Sequence, residues 1–183
     1  MDIKRIAIFV DGSNFYFKMR SLDIANLSRF SYRRFSEWLA RGGKIVFAGY
    51  YIGVVRAKPN DDKAQKMRKA QINLFNFLQS KEQHFTVRRG YLMNNDGAYH
   101  EKGVDVQLAV DLLVGAYENK YDAAIVISSD TDLIPAMAKV KELGKAVEYI
   151  GFAHQPALAL QTAATLSRLL LKEELEPFIY IPS

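Results

Sequence analysis

The chain has 183 residues, with 25 Lys+Arg against 20 Asp+Glu and a net charge of +5, a size that suits one compact domain over 1–183. Apolar residues make up 49% and charged residues 25%, which excludes a disordered, collagenous or coiled-coil chain. There is no cysteine and only three scattered histidines, His84, His100 and His154, so disulfides, thiol nucleophiles and Cys-ligated zinc are excluded and any metal would be hard and oxygen-ligated.

The apolar run Ile6–Val10 stops at Asp11, too short for a signal sequence. No stretch approaches the ~20 apolar residues of a membrane span. The sequence therefore reads as cytoplasmic, with no membrane partner. Ile6–Val10 is β-branched and continuous, as expected of a strand buried on both faces of a parallel sheet. Asp11-Gly12-Ser13-Asn14 is a turn and cap signal that leads into a helical stretch around Phe15–Ser21.

A helix over Arg33–Arg41 stops at Gly42-Gly43, and Ile45–Val55 reads as the next strand. Pro59 opens a long helix over Asp61–Ser80, with Ala64, Met67, Gln71, Leu74, Phe75 and Leu78 on one face. Phe85–Tyr91 is a third strand, and Asn94–Gly97 a hairpin turn into Ala98–Lys102. Val104–Tyr117 is a helix, Ala123–Ser128 a fully buried strand, and Thr131–Leu143 a helix ended by Gly144. Ala146–Ile150 makes a further strand and Pro156–Leu171 a closing helix. Alternating strands and helices predict a three-layer α/β/α sandwich, with a mainly parallel, doubly wound sheet of about five strands.

Both of the most hydrophobic strands run into acid. Ile6–Val10 meets Asp11, and Ala123–Ser128 meets Asp130 and Asp132. Ligand sites of open α/β sheets lie beyond the carboxyl ends of strands, at a switch in strand order. A fourth acid, Asp105, sits in the first turn of a largely apolar helix. Each acid also has a plain local role: an Asx turn for Asp11, a helix N-cap for Asp130, first-turn acids for Asp132 and Asp105. As a set they need more. Two carboxylates ~4 Å apart repel by roughly 4 kcal/mol at an effective dielectric of 20, which a cation would relieve. Mg²⁺ or Mn²⁺ suits, since it binds through one or two carboxylates plus phosphate and keeps several waters.

Val10-Asp11-Gly12-Ser13-Asn14, Glu101–Val106 and Ser128-Ser129-Asp130-Thr131-Asp132 resemble the three motifs of the NYN domain, the LabA-like branch of the PIN-like nucleases. The three occur in order, across nearly the whole chain. The resemblance implies a PIN-like sandwich whose acidic pocket binds Mg²⁺ or Mn²⁺ and hydrolyses RNA. Carried over by motif, Asp11, Asp105 and Asp130 would be the metal carboxylates and Asp132 a fourth catalytic acid. Asn14 would be the pocket amide, Ser129 a supporting hydroxyl, and Lys102 a contact to a substrate phosphate. The chain departs from the pattern at Leu133, where the family often has Phe, and in Leu160–Thr165, where members often carry an acid before an aromatic. The four motif acids are intact.

With no Cys and no suitable His pair, hydrolysis would rest on a carboxylate-held ion that lowers the pKa of bound water and clamps a phosphoryl oxygen. Lys63, Lys66 and Lys69 recur along the long helix, and Arg88-Arg89 add a basic pair. They form a candidate RNA track, or else a solvated face. Phe15, Tyr16, Phe17, Tyr50 and Tyr51 are candidate stacking groups for single-stranded bases, or else core. Asp111, about 240° around the helix from Asp105, reads as a surface or locally paired acid outside the pocket. The tail from Glu176 is apolar and packs on the sheet or on a homodimer partner.

Competing chemistries fail on single positions. A haloacid-dehalogenase-like phosphatase needs an acid where Ser13 stands, and neither a P-loop nor a dinucleotide fingerprint occurs. The alternative from another class is a regulatory protein, weakly catalytic or not at all, that binds RNA or a protein partner with the same fold.

Overall fold

The computed structural model describes residues 3–24, 27–55, 57, 59–95 and 98–180, apart from the side chains of 91–102. Strand β1 (Arg5–Asp11) passes directly into helix α1 (Gly12–Ser21), and α2 (Tyr32–Ala40) precedes β2 (Lys44–Val54). The long helix α3 (Asp62–Leu78) leads to the hairpin of β3 (Thr86–Asn95) and β4 (Ala98–Lys102), followed by α4 (Val104–Tyr117). The second half alternates β5 (Ala123–Ile127), α5 (Ile134–Glu142), β6 (Ala146–Phe152), α6 (Leu158–Ala163) and β7 (Leu166–Leu170), then α7 (Lys172–Leu175).

The strand order is β4-β3-β2-β1-β5-β6-β7. Every pairing is parallel except β3–β4. The chain builds outward from β1 in one direction through β2 and β3, then starts again beside β1 with β5. That reversal is the switch point of a doubly wound sheet, and it lies between the two strands whose apolar runs end in acid.

The two sides of the sheet are packed differently. On one, α1, α2 and the Phe30 just before α2 place Phe15, Phe30, Tyr32 and Phe35 against Phe152 and Phe178, with ring centroids 5.2–6.1 Å apart and mostly tilted or edge-on. On the other, α4, α5 and α6 contribute Leu108, Leu112, Met137, Val140 and Leu160. The apolar tail joins the first side. Phe178 is buried there, and the Ile179 backbone bridges Phe30. So that segment packs on its own sheet.

The expected closing helix over Pro156–Leu171 is shorter than the periodicity suggests. It ends at Ala163, and Leu166–Leu170 forms a seventh strand, paired in parallel with β6. Leu169 packs against the aliphatic cluster and Leu170 lies in the aromatic one. Neighbouring residues on opposite faces are the period of a strand, not of a helix. Thr165 fixes the switch: its amide donates to Val147 O at 2.8 Å and its hydroxyl accepts from Val147 N at 3.1 Å. The helix expected over Thr131–Leu143 is likewise split into a 3-10 turn at Thr131–Leu133 and α5, which Pro135 opens. Among the described residues no helix is long and apolar enough to cross a membrane.

Candidate active site

Strand β1 ends at Asp11, and the next residue lies so close to β2 that only glycine fits. A Cβ on Gly12 would run into the Tyr50 ring and come within 2.9 Å of the Tyr51 carbonyl oxygen. The tight exit lets α1 start at once and turns Asp11 inward, where its side chain caps the helix. Its Oδ1 accepts from the Asn14 amide at 3.0 Å. Asp11 is only 2% exposed.

The neighbouring strand completes the arrangement. Ser128, buried at the end of β5, donates through Oγ to Asp11 Oδ2 at 2.8 Å and accepts from the Asp130 amide at 3.0 Å. The Asn14 side-chain amide also donates to Asp11 Oδ2, while its oxygen accepts from Ser129 Oγ. Asp130 in turn caps the 3-10 turn, accepting from the Asp132 amide at 2.9 Å. One hydrogen-bonded circuit thus ties the ends of β1 and β5 together across the switch point.

The electrostatics oppose the hydrogen bonds. Burial pushes the Asp11 carboxyl above its ordinary range, the three donors from Asn14 and Ser128 pull it back, and the Asp130 charge raises it again, for a net upward shift. Neither Asp11 nor Asp130 forms an ion pair among the described residues. A buried carboxylate facing a second one, with no ion pair among the described residues, favours a proton or a cation at that spot.

The other predicted residues are placed as follows. Asp132 is exposed on the 3-10 turn, next to the pair. Asp105 is half-buried in the first turn of α4, whose Val104 and Leu108 share a cluster with Leu133 of that turn. Gly103, at φ 81°, opens α4 in the left-handed conformation. Among the described residues no three carboxylate or imidazole side chains converge as a metal cage. The side chain of Lys102 lies outside the described residues. Asp111 is held by Tyr51, Arg88 and Gln107 at 2.8–2.9 Å, so of the two readings, surface or locally paired, it is the locally paired one.

The basic residues divide. Lys63, Lys66 and Lys69 are exposed on α3. Arg88 and Arg89 point to opposite faces of β3, Arg88 onto Asp111 at 2.9 Å and Arg89 over the Phe75 ring at 4.9 Å. Ser128 is the residue that sequence reasoning passed over. Its signal was a hydroxyl closing an otherwise apolar strand one residue before the acidic turn.

The residues present fit a divalent ion in a sparse mode. Mg²⁺ commonly takes one or two protein carboxylates and completes its shell with water and substrate phosphate, and Asp11 and Asp130 offer that number. Among the described residues Asn14 and Ser128 make three donations to Asp11. A hollow of about 580 Å³, lined by Arg41 and Glu148 among others, lies at the opposite end of the sheet. The crevice at Asn14, Ser128 and Ser129 is small by comparison.

The family model of the NYN domain matches residues 5–170. An uncharacterized protein of Methanocaldococcus jannaschii is 28% identical over 160 residues, which cover 87% of this chain and 52% of that protein. The chain therefore spans about half the length of that curated relative. A crystal structure of a protein of unknown function from Vibrio parahaemolyticus shares the fold, with a TM-score of 0.65, 21% identity and 97% of both chains covered.

Proposed function

The chain belongs to the NYN domain family, part of the PIN-like nuclease superfamily, and from that premise we propose that it is a metal-dependent ribonuclease acting at the ends of β1 and β5. The observation that carries the reading is the buried Asp11 carboxylate, raised in pKa and facing Asp130 with no ion pair among the described residues. Mg²⁺ or Mn²⁺, when bound, would supply charge neutralisation at the phosphoryl group and acidify a water.

The protein's part is positioning. Asn14 and Ser128 hold the Asp11 carboxylate directly and Ser129 holds Asn14, so that Asp11 is fixed before any ligand arrives. Asp130 is held by its own turn and needs no reorganisation to act beside Asp11. Asp132, next to Asp130 on its turn, and Asp105, in the first turn of α4, would orient the attacking water. Lys63, Lys66 and Lys69 would follow the RNA backbone, with Lys102 at a phosphate near the site.

The test is cleavage of a labelled single-stranded RNA in Mn²⁺, in Mg²⁺ and in EDTA, by the wild type and Asp130→Asn purified identically. Metal-dependent cleavage that falls at least about 10³-fold in the variant is expected, since several kcal/mol of transition-state stabilisation would be lost. Equal cleavage by both proteins would remove this site. Cleavage by neither would leave a regulatory protein that binds RNA or a partner with the same fold.

A further inference from the structure

The aromatic residues near the site fall into two groups. Phe15, Tyr50 and Tyr51 are buried in the core, whereas Tyr16 is 37% and Phe17 65% exposed. All eleven phenylalanines are among the described residues, and Phe17 alone is exposed. A fold that covers ten phenyl rings leaves this one in water, on the helix that carries the site's amide.

Its position is specific. Phe17 follows Asn14 by three residues on α1, so the two side chains are neighbours on the helix surface, with Cβ atoms about 5–6 Å apart. Asn14 is bonded to both Asp11 and Ser129, which places the ring one helical turn from the carboxylate pair. Tyr16 braces it edge-on, with centroids 5.4 Å apart and planes at 72°. Arg20, three residues further on, reaches back to the Tyr16 hydroxyl at 3.5 Å. Lys18 lies beside them, its ammonium tethered to Gln155 at 2.9 and 3.1 Å. An exposed ring one turn from the carboxylate pair, beside a Lys18 that lines the same crevice as Asn14, Ser128 and Ser129, matches one nucleotide unit, a flat base joined to a phosphate.

We propose that Phe17, braced by Tyr16, is the stacking platform for an unpaired base of single-stranded RNA whose adjacent phosphate faces Asp11 and Asp130. The proposal rests on the ribonuclease reading and narrows it to substrates with unpaired bases at the cleavage site. Every base has a π-face, so the platform selects strandedness and not sequence. In a duplex the bases already stack on each other, and the ring has nothing to receive.

The experiment measures binding apart from cleavage. A short single-stranded RNA carrying 2-aminopurine is titrated in EDTA with the full chain, with Phe17→Ala and with Phe17→Trp, and a duplex of the same sequence serves as control. Loss of one stacked base weakens binding about five- to a hundredfold. Phe17→Ala is expected to show that loss for the single strand, together with loss of 2-aminopurine quenching. Phe17→Trp should retain both, and duplex binding should not change. Equal single-strand affinity and quenching in Phe17→Ala would overturn the platform. So would the absence of single-strand binding by the wild type, or a change in Phe17→Ala confined to self-association. The ribonuclease reading stands or falls separately, on the cleavage comparison with Asp130→Asn.

Discussion

Strands β1 and β5 lie side by side, and their two ends treat carboxylates in opposite ways. At the amino-terminal end Arg5 grips Asp122 through its backbone amide at 2.8 Å and its guanidinium at 2.6 and 3.2 Å. That grip, with the Lys145 charge adding to it, holds the Asp122 carboxyl down to about 2. At the carboxyl-terminal end Asp11 is buried beside Asp130, forms no ion pair among the described residues and is pushed up instead. One end of the strand pair satisfies its charge and the other leaves it unanswered. Unanswered charge in a buried position marks a place built for something that arrives later, and the sharpest ways to break the comparison act on that end.

The largest expected effect is the loss of cleavage in Asp130→Asn already described. Next in size is a response that needs no substrate. If the carboxylate pair holds Mn²⁺, the ion should raise the melting temperature by roughly 5–10 °C at a hundredfold excess over Kd, from about 2.7 kcal/mol of linkage spread over a chain of this size. Asp130→Asn should abolish that rise, while Asp122→Asn, at the satisfied end, should leave it intact. Differential scanning fluorimetry on the three proteins decides it. An equal rise in all three would place the ion elsewhere.

A smaller effect separates the hydrogen-bond circuit from the charges. Ser128→Ala removes one donor from Asp11 and the acceptor of the Asp130 amide. It should cost about 1–3 kcal/mol by chemical denaturation, because two buried polar groups lose a partner. The loss of a donor that lowers the Asp11 carboxyl should also move the acid limb of the cleavage profile to higher pH. A denaturation loss with an unmoved pH limb would show that Ser128 is structural only.

Much of this contrast was legible before the structure. Asp11 and Asp130 could be placed because each follows a continuous apolar run, and such runs end at the edge of a parallel sheet. Ser128 was not, because a serine closing a strand is common and only the pairing of β1 with β5 brings it to Asp11. The aromatic set could not be sorted from sequence. Phe15 and Phe17 differ by 200° around α1, and which side faces the sheet depends on where α2 packs. Arg88 and Arg89 read as one basic patch until the strand period sends them to opposite faces. Leu166–Leu170 misled for a related reason: a leucine-rich stretch continuing a helix fits both periods until the Thr165–Val147 bonds choose one.

The smallest expected effect lies at the satisfied end and tests the sign of the comparison. A carboxyl whose folded pKa is depressed contributes stability above its unfolded value near 3.9, a contribution lost as pH falls toward about 2. Asp122→Asn should therefore melt slightly below the wild type at neutral pH, with the gap closing between about pH 4 and 2. Both Arg5 and Asp122 are substantially solvated, so added salt should shrink the gap as well. Asp11 has the reverse sign: its raised pKa favours the folded state while protonated, and that contribution is lost as pH rises through the raised value. Acidification from neutrality therefore relieves the carboxylate end first and weakens the satisfied end afterwards. In Asp130→Asn the first of these two changes should shrink, since one of the causes raising Asp11 is gone, while the second should remain. Melting curves across that pH range, run on both variants, would separate the two ends of one strand pair within a single experiment.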